Sequence, residues 1–314
     1  MKKLFAFITA VLLACAAAQA QKEPCAEVGN NNDFLGIQTI RLWPGDAPLA
    51  KGKACEDIPT LTVFDSAGGG SGIGSAVIIM PSGGYSVLSG KASREMADWF
   101  TARGFRAFVL SYRLSPNGYL MPAPLLDARR AVQLVRARAL EYQIDPHRIV
   151  VAGFSAGGHL AALSATQFVP ANPDAEDPVE RVSSRPDYLV LGYAWIGAFD
   201  SNTGYCKLFK TTDGCAALRA EYSPDLFVNK NTPPTFLYHT FNDEAVPVEQ
   251  GLRFYEALVK AGVPSEMHIF PNGPHGSGLG KGDPALDQWP NLLENWLRAQ
   301  GLLTPYKPAA GLKP

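Results

Sequence analysis

The sequence predicts an α/β architecture, a mostly parallel eight-stranded sheet with helices on both faces. Short β-branched apolar runs alternate with amphipathic helical stretches from Ala76 onward, which is the pattern of strands joined by crossover helices. The pentapeptide Gly153-Phe154-Ser155-Ala156-Gly157 lies between an apolar run and a small-residue helical stretch, where a G-x-S-x-G pattern makes a sharp strand-to-helix turn. A chain of 314 residues with 46% hydrophobic content is long and apolar enough to bury a sizeable core.

The N-terminus reads as an export signal over residues 1–20. Lys2 and Lys3 form a basic start, Leu4 to Ala14 a short apolar run, and Ala18-Gln19-Ala20 a cleavage site, so the mature chain is expected to begin at Gln21 and to be secreted or periplasmic. That run is too short to span a bilayer, and no later stretch approaches about 20 continuous apolar residues, so no membrane span is expected. Leu12-Leu13-Ala14-Cys15 resembles a lipoprotein processing box that would lipidate Cys15; leucine in the middle position departs from that pattern, and the freely soluble reading is preferred. Beyond the leader remain Cys25, Cys55, Cys206 and Cys215, an even number suited to an oxidising compartment. Of the three pairings open to them, proximity favours Cys25 with Cys55 and Cys206 with Cys215.

Strands are expected over Ile37–Trp43, Pro59–Phe64, Ala76–Met80, Arg106–Ser111, Arg148–Ala152, Tyr188–Tyr193, Thr235–His239 and Glu266–Phe270. Helices are expected over Ser89–Arg103, Ala123–Tyr142, Ala156–Phe168, Val248–Ala261 and Ala285–Gln300. In the second of these, Leu125, Ala128, Val132 and Val135 mark the buried stripe, which leaves Arg129, Arg130 and Arg136 for a solvated face. No linker divides the pattern: residues 33–304 read as one domain and 305–314 as a tail. The Gly-rich stretch Asp65–Ser75 reads as a mobile hairpin loop, since Gly70-x-Gly72-x-Gly74 lacks the tight turn and immediate helix of a dinucleotide site. Gly197–Pro234 is long for a connection between strands and reads as a lid or a wall of a binding site.

Net charge is −1, from 28 basic and 29 acidic residues, and no basic stripe accompanies it. Nucleic acid is therefore not expected as a partner, and a small, weakly charged substrate fits better. The cysteines lack metal-ligand spacing, and no metal or organic cofactor is expected.

A serine hydroxyl needs a base within hydrogen-bond reach, and that base needs an acid to hold its tautomer. Asp243 follows the strand Thr235–His239, and His275 follows the last strand in the turn Pro271-Asn272-Gly273-Pro274-His275-Gly276, in the chain order Ser, Asp, His. Glu244 is the alternative acid, ahead of Asp200 and Asp213 in the long loop. Among the other histidines, His147 and His268 read as structural and His159 as a core histidine one helical turn beyond Ser155. His239, at a strand end, is placed to support the site from behind. Donors for a tetrahedral oxyanion are expected from Ala156 N–H and from Gly83 and Gly84 in Pro81-Ser82-Gly83-Gly84-Tyr85.

These residues, with Tyr112-Arg113-Leu114, Pro122-Ala123-Pro124-Leu125, Asp145-Pro146-His147-Arg148-Ile149 and Asp243 to Pro247, resemble a serine α/β-hydrolase of the bacterial acetyl xylan esterase and feruloyl esterase group. The resemblance runs from about Ala76 to Leu303. It implies the α/β-hydrolase fold, the elbow on Ser155, the acid on Asp243 and the base on His275. Members usually carry glycine where Ser82 stands. The resemblance further implies a two-step acyl-enzyme reaction on short acyl or hydroxycinnamoyl esters of a plant polysaccharide or oligosaccharide. An exported serine peptidase, a general short-chain esterase or lipase, and a non-catalytic binding protein are the competing classes. The full set Ser155, His275 and Asp243 argues against the last, and the polar long loop, with Lys207, Lys210, Asp213 and Arg219, argues against a lipid-facing lid.

Overall fold

The computed structural model describes residues 34, 37–66, 73–197 and 215–305. All eight expected strands form one sheet: β1 (Thr39–Arg41), β2 (Thr60–Phe64), β3 (Ala76–Met80), β4 (Arg106–Ser111), β5 (Ile149–Phe154), β6 (Tyr188–Gly192), β7 (Thr235–Thr240) and β8 (Ser265–Phe270). Their spatial order is β1-β2-β4-β3-β5-β6-β7-β8. The β1–β2 and β2–β4 pairs are antiparallel, and every pair from β4 and β3 onward is parallel. β2 pairs with β4, not with β3, so Asp65–Ser75 is a crossover and not the hairpin its glycines suggest.

Alternation of side chains along each strand divides the interior in two. Ile78, Phe108, Val151, Leu189 and Leu237 face one way; Val77, Ile79, Val109, Val150, Val190 and Phe236 face the other. Both faces are covered by helices, so the central strands are apolar at every position and not at alternate ones. On the first face lie α2 (Ala123–Ala137), α3 (Ala156–Thr166) and α5 (Glu249–Lys260); on the second lie α1 (Gly90–Thr101) and α6 (Trp289–Ala299). Every residue of α3 is buried, which explains its run of alanine and glycine: no polar face is needed, and small side chains let the helix approach the sheet.

α2 stops at Ala137, short of Tyr142, because Arg138 leaves the helical region at φ −101° and ψ 23° and Ala139 N–H turns to the Arg136 carbonyl, three residues back, at 3.2 Å. α3 likewise stops at Thr166. The expected helix from Ala285 begins with a 3-10 turn, Leu286–Gln288, before Pro290 opens α6. Inside Gly197–Pro234 stands a helix that sequence reading missed, α4 (Cys215–Tyr222).

The arginines of α2 are not a solvated face. Arg130 is 3% exposed, donates from Nε to the Leu42 carbonyl at 2.8 Å and pairs with Asp177 at 2.7 Å. Arg136 donates to the Pro146 carbonyl and pairs with Asp187, each at 2.9 Å. Long side chains reach partners that no helical-wheel pattern displays. Cys55 is disulfide-bonded; Cys25 and Cys206, and so both favoured pairings, lie outside the described residues, as do Cys15 and residues 1–20, expected to be an export signal. Among the described residues no helix is long and apolar enough to cross a membrane.

Candidate active site

Four loops that leave the C-terminal ends of parallel strands meet at one edge of the sheet, the edge where open α/β sheets hold ligands. Ser155 follows β5, Pro81–Tyr85 follow β3, Asp243 follows β7 and His275 follows β8. Ser155 has φ 54° and ψ −124°, a backbone region that side chains rarely occupy and that costs about 1–3 kcal/mol. It is held there from both sides, its N–H donating to the Gly192 carbonyl and its carbonyl accepting from Trp195 N–H, each at 3.1 Å. A Cβ on Gly157 would lie 2.1 Å from the Met80 carbonyl oxygen and 2.5 Å from that of Pro81. Glycine is therefore required where the first turn of α3 abuts the loop after β3.

His275 Nε2 lies 2.8 Å from Ser155 Oγ, and His275 Nδ1 lies 2.8 Å from Asp243 Oδ2. The Asp243 side chain is fully enclosed, while that of His275 is 26% exposed. Asp243 Oδ1 accepts N–H bonds from Ala245 and Val246, each at 2.9 Å, so the carboxylate is fixed from behind. Because Oδ2 can only accept, His275 carries its proton on Nδ1, and the lone pair on Nε2 faces the serine hydroxyl. Glu244, the alternative acid, is exposed, and Asp200 and Asp213 lie outside the described residues.

The loop bearing His275 is stitched to the loop bearing Asp243. Thr240 Oγ1 donates to the Gly273 carbonyl at 2.9 Å, Asn242 Oδ1 accepts from Gly273 N–H at 3.0 Å, and Phe241 N–H donates to Phe270 at 2.7 Å. Downstream, Tyr238 and Trp289 stack with centroids 4.1 Å apart, and both donate to the Gly278 carbonyl at 3.1 Å. Tyr193, with φ 35°, sets its ring edge against His275 at 5.0 Å. Burial pushes the Tyr193 and Tyr238 hydroxyls up, so both stay protonated donors. Sequence reading named none of these supports, since their partners are distant in the chain.

His239 stands where the sequence suggested. Its Nε2–H donates to the Val246 carbonyl at 2.8 Å, and the same nitrogen is 3.5 Å from Asp243 Oδ2. Burial lowers its pKa, which keeps the ring neutral beside the carboxylate. His147 is exposed in its turn, and His268 bonds Glu266 at 2.7 Å, so neither approaches Ser155.

Gly83, Gly84 and Tyr85 take successive positive φ values of 128°, 64° and 59°. At Gly83 a side chain is also barred by space, because a Cβ would sit 2.1 Å from the Val87 carbonyl oxygen. Tyr112 Oη donates to the Pro81 carbonyl at 2.8 Å and so braces the loop. Its neighbour Arg113 is 2% exposed and bonds Asp127, itself 0% exposed, at 2.7 to 3.1 Å, which anchors the loop after β4 to α2. Among the described residues no group of three or more His, Cys, Asp or Glu could hold a metal ion.

Two family profiles match consecutive parts of the chain, one described as BD-FAE over residues 71–185 and the prolyl oligopeptidase family over residues 194–300. The crystal structure of an acetyl ester-xyloside bifunctional hydrolase from Caldicellulosiruptor lactoaceticus is 38% identical, with a TM-score of 0.74 over 84% of this chain and 97% of its own. The chain belongs to the α/β-hydrolase esterases of the acetyl xylan esterase and feruloyl esterase group. Esterase 2 of Thermogutta terrifontis, solved with propionate bound, is 25% identical with a TM-score of 0.70 over 87% of this chain and 98% of its own. An acetylxylan esterase of Xylanibacter ruminicola is 32% identical over 72% of this chain and 46% of its own length. An endo-1,4-beta-xylanase B of Butyrivibrio fibrisolvens is 34% identical over 64% of this chain and 32% of its own. This family member thus spans less than half the length of those two curated relatives.

Proposed function

We propose that this protein is an exported serine carboxylesterase that removes short acyl or hydroxycinnamoyl groups from plant polysaccharide or its oligosaccharides. The observation that carries the reading is the hydrogen-bonded chain from Ser155 Oγ through His275 to the enclosed Asp243. Ser155 attacks the ester carbonyl as His275 Nε2 takes its proton, and Asp243 stabilises the imidazolium. The oxyanion is met by N–H groups of Ala156 and of the loop at Gly83 and Gly84. His275 returns the proton to the leaving alcohol, then activates the water that frees the acid from Ser155. Membership of the acetyl xylan esterase and feruloyl esterase group supports the ester, and the names of the xylan-acting relatives support the polysaccharide. The leader at residues 1–20 supports export, where such polymers are met.

The test is acid release by the mature chain from acetylated xylan and from a feruloylated arabinoxylan oligosaccharide, with Ser155→Ala as blank. Acetate alone makes it a deacetylase, ferulate a feruloyl esterase, and both mean a broad pocket. Cleavage of a simple acetyl ester but of neither polymer substrate would leave the ester chemistry and sink the polysaccharide assignment. The prolyl oligopeptidase match over residues 194–300 favours a peptidase as the second reading. Matched amide and ester substrates separate the two: faster cleavage of the amide would replace the esterase reading.

A further inference from the structure

We infer that His159 is a positioning residue for the oxyanion loop, acting through the Tyr85 hydroxyl. The inference rests on the esterase reading of Ser155. His159 is 0% exposed, lies one turn beyond Ser155 on α3, and has both ring nitrogens engaged. Nε2 is 2.7 Å from the Tyr222 carbonyl, which can only accept, so Nε2 bears the proton. Nδ1 is then the acceptor for the Tyr85 O–H at 2.7 Å. Burial holds the imidazole pKa down at about 4, so the ring is neutral at neutral pH.

What the bond holds is strained. Tyr85 is a bulky side chain at φ 59°, directly after Gly83 and Gly84. Such a residue keeps a left-handed backbone only where its surroundings over-determine it. The surroundings here are the His159 acceptor, edge contacts to Tyr112 at 5.7 Å and His159 at 5.8 Å, and Ser115 N–H donating to the Tyr85 carbonyl at 2.9 Å. With Tyr112 bracing Pro81 at the other end, the Gly-Gly turn is pinned on both sides. One helix, α3, therefore carries Ala156 at its start and, through His159, fixes the distance from Ala156 to the opposing donors. The end of α4 is tied to the same ring through Tyr222.

The decisive variant is Tyr85→Phe, which keeps the ring and removes the hydroxyl. On a short-chain aryl ester, kcat is expected to fall about 10- to 100-fold, the scale of a misplaced oxyanion donor, while KM stays within about twofold. Inhibition by an alkyl boronic acid, which mimics the tetrahedral state, should weaken by the same factor as kcat/KM. A paired comparison covers poor folding: His159→Asn can present an acceptor near the Nδ1 position, and His159→Leu cannot, so Asn should retain more kcat than Leu at matched melting temperature. Full kcat in Tyr85→Phe, a loss in KM alone, or equal kcat in the Asn and Leu variants would overturn the inference. Failure of the esterase reading looks different, because the wild-type chain would then show no Ser155-dependent ester cleavage.

Discussion

Replacing Asp243 by asparagine should disable the protein for a reason that can be worked atom by atom. The carboxylate uses Oδ1 to accept from Ala245 and Val246 N–H, and Oδ2 to accept from His275 Nδ1–H. Asparagine has the same shape but a single acceptor oxygen, which cannot serve both sides. If its NH2 faced the backbone, the Ala245 and Val246 N–H groups would lose their acceptor, at about 1–3 kcal/mol for the buried Val246 donor. If its NH2 faces His275, the imidazole need only move its proton to Nε2. The second arrangement wins. His275 then presents a donor to Ser155, and the serine proton has no acceptor at the moment of attack. The expected loss is about 10⁴-fold in kcat, or about 5 kcal/mol of transition-state stabilisation, with KM little changed. The assay is steady-state release of 4-nitrophenol from 4-nitrophenyl acetate, with a thermal melt to show that the fold survives. An asparagine variant within about tenfold of wild type would refute the tautomer argument, as would a structure with its side-chain oxygen facing His275.

Other substitutions test separate parts of the architecture. Ser155→Ala should lose about 10⁴-fold or more in rate, and combining it with His275→Ala should cost little further, because the residues act as one unit. A fully active, folded Ser155→Ala protein would remove Ser155 from the chemistry. Gly157→Ala should abolish soluble expression or activity, since its Cβ would press on the Met80 and Pro81 carbonyls at 2.1 and 2.5 Å; a well-folded, fully active variant would contradict that packing. Asp127→Ala leaves the enclosed Arg113 unpaired and should cost about 3–5 kcal/mol in urea unfolding, a prediction refuted by a loss below about 1 kcal/mol. His159 links stability to pH. Its pKa is about 4 in the fold against an ordinary 6.5, so the unfolded chain binds the proton first as pH falls. The neutral-ring contribution is whole above pH 6.5 and drains away toward pH 4, by about 3 kcal/mol in all. Unfolding free energies at pH 7 and pH 4.5 should therefore differ less in His159→Leu than in wild type; an equal difference would sink the linkage.

The strands, most of the helices and the turn at Ser155 are legible in the sequence, because each is written in neighbouring residues. A run such as Ala76 to Met80 is apolar at every position only if both faces of its strand are covered. The glycines around Ser155 are spaced for a turn that few other residues allow. Ser155, Asp243 and His275 were legible together because each follows a strand in order, and the structure brings them within 2.8 Å of one another in sequence of contact. Tertiary structure alone decided what depends on partners far along the chain. It made Asp65–Ser75 a crossover, by putting β4 between β2 and β3. It turned Arg130 and Arg136 from surface charges into enclosed clamps on Leu42, Asp177, Pro146 and Asp187. It ended α2 at Ala137, where Arg138 leaves the helical region, and it revealed α4 in a segment whose composition reads as loop. The link from Tyr85 to His159 spans 74 residues and that from His159 to Tyr222 spans 63. Periodicity and local turn chemistry carry no information at that range; the free energy that sets such contacts comes from packing the two faces of the sheet.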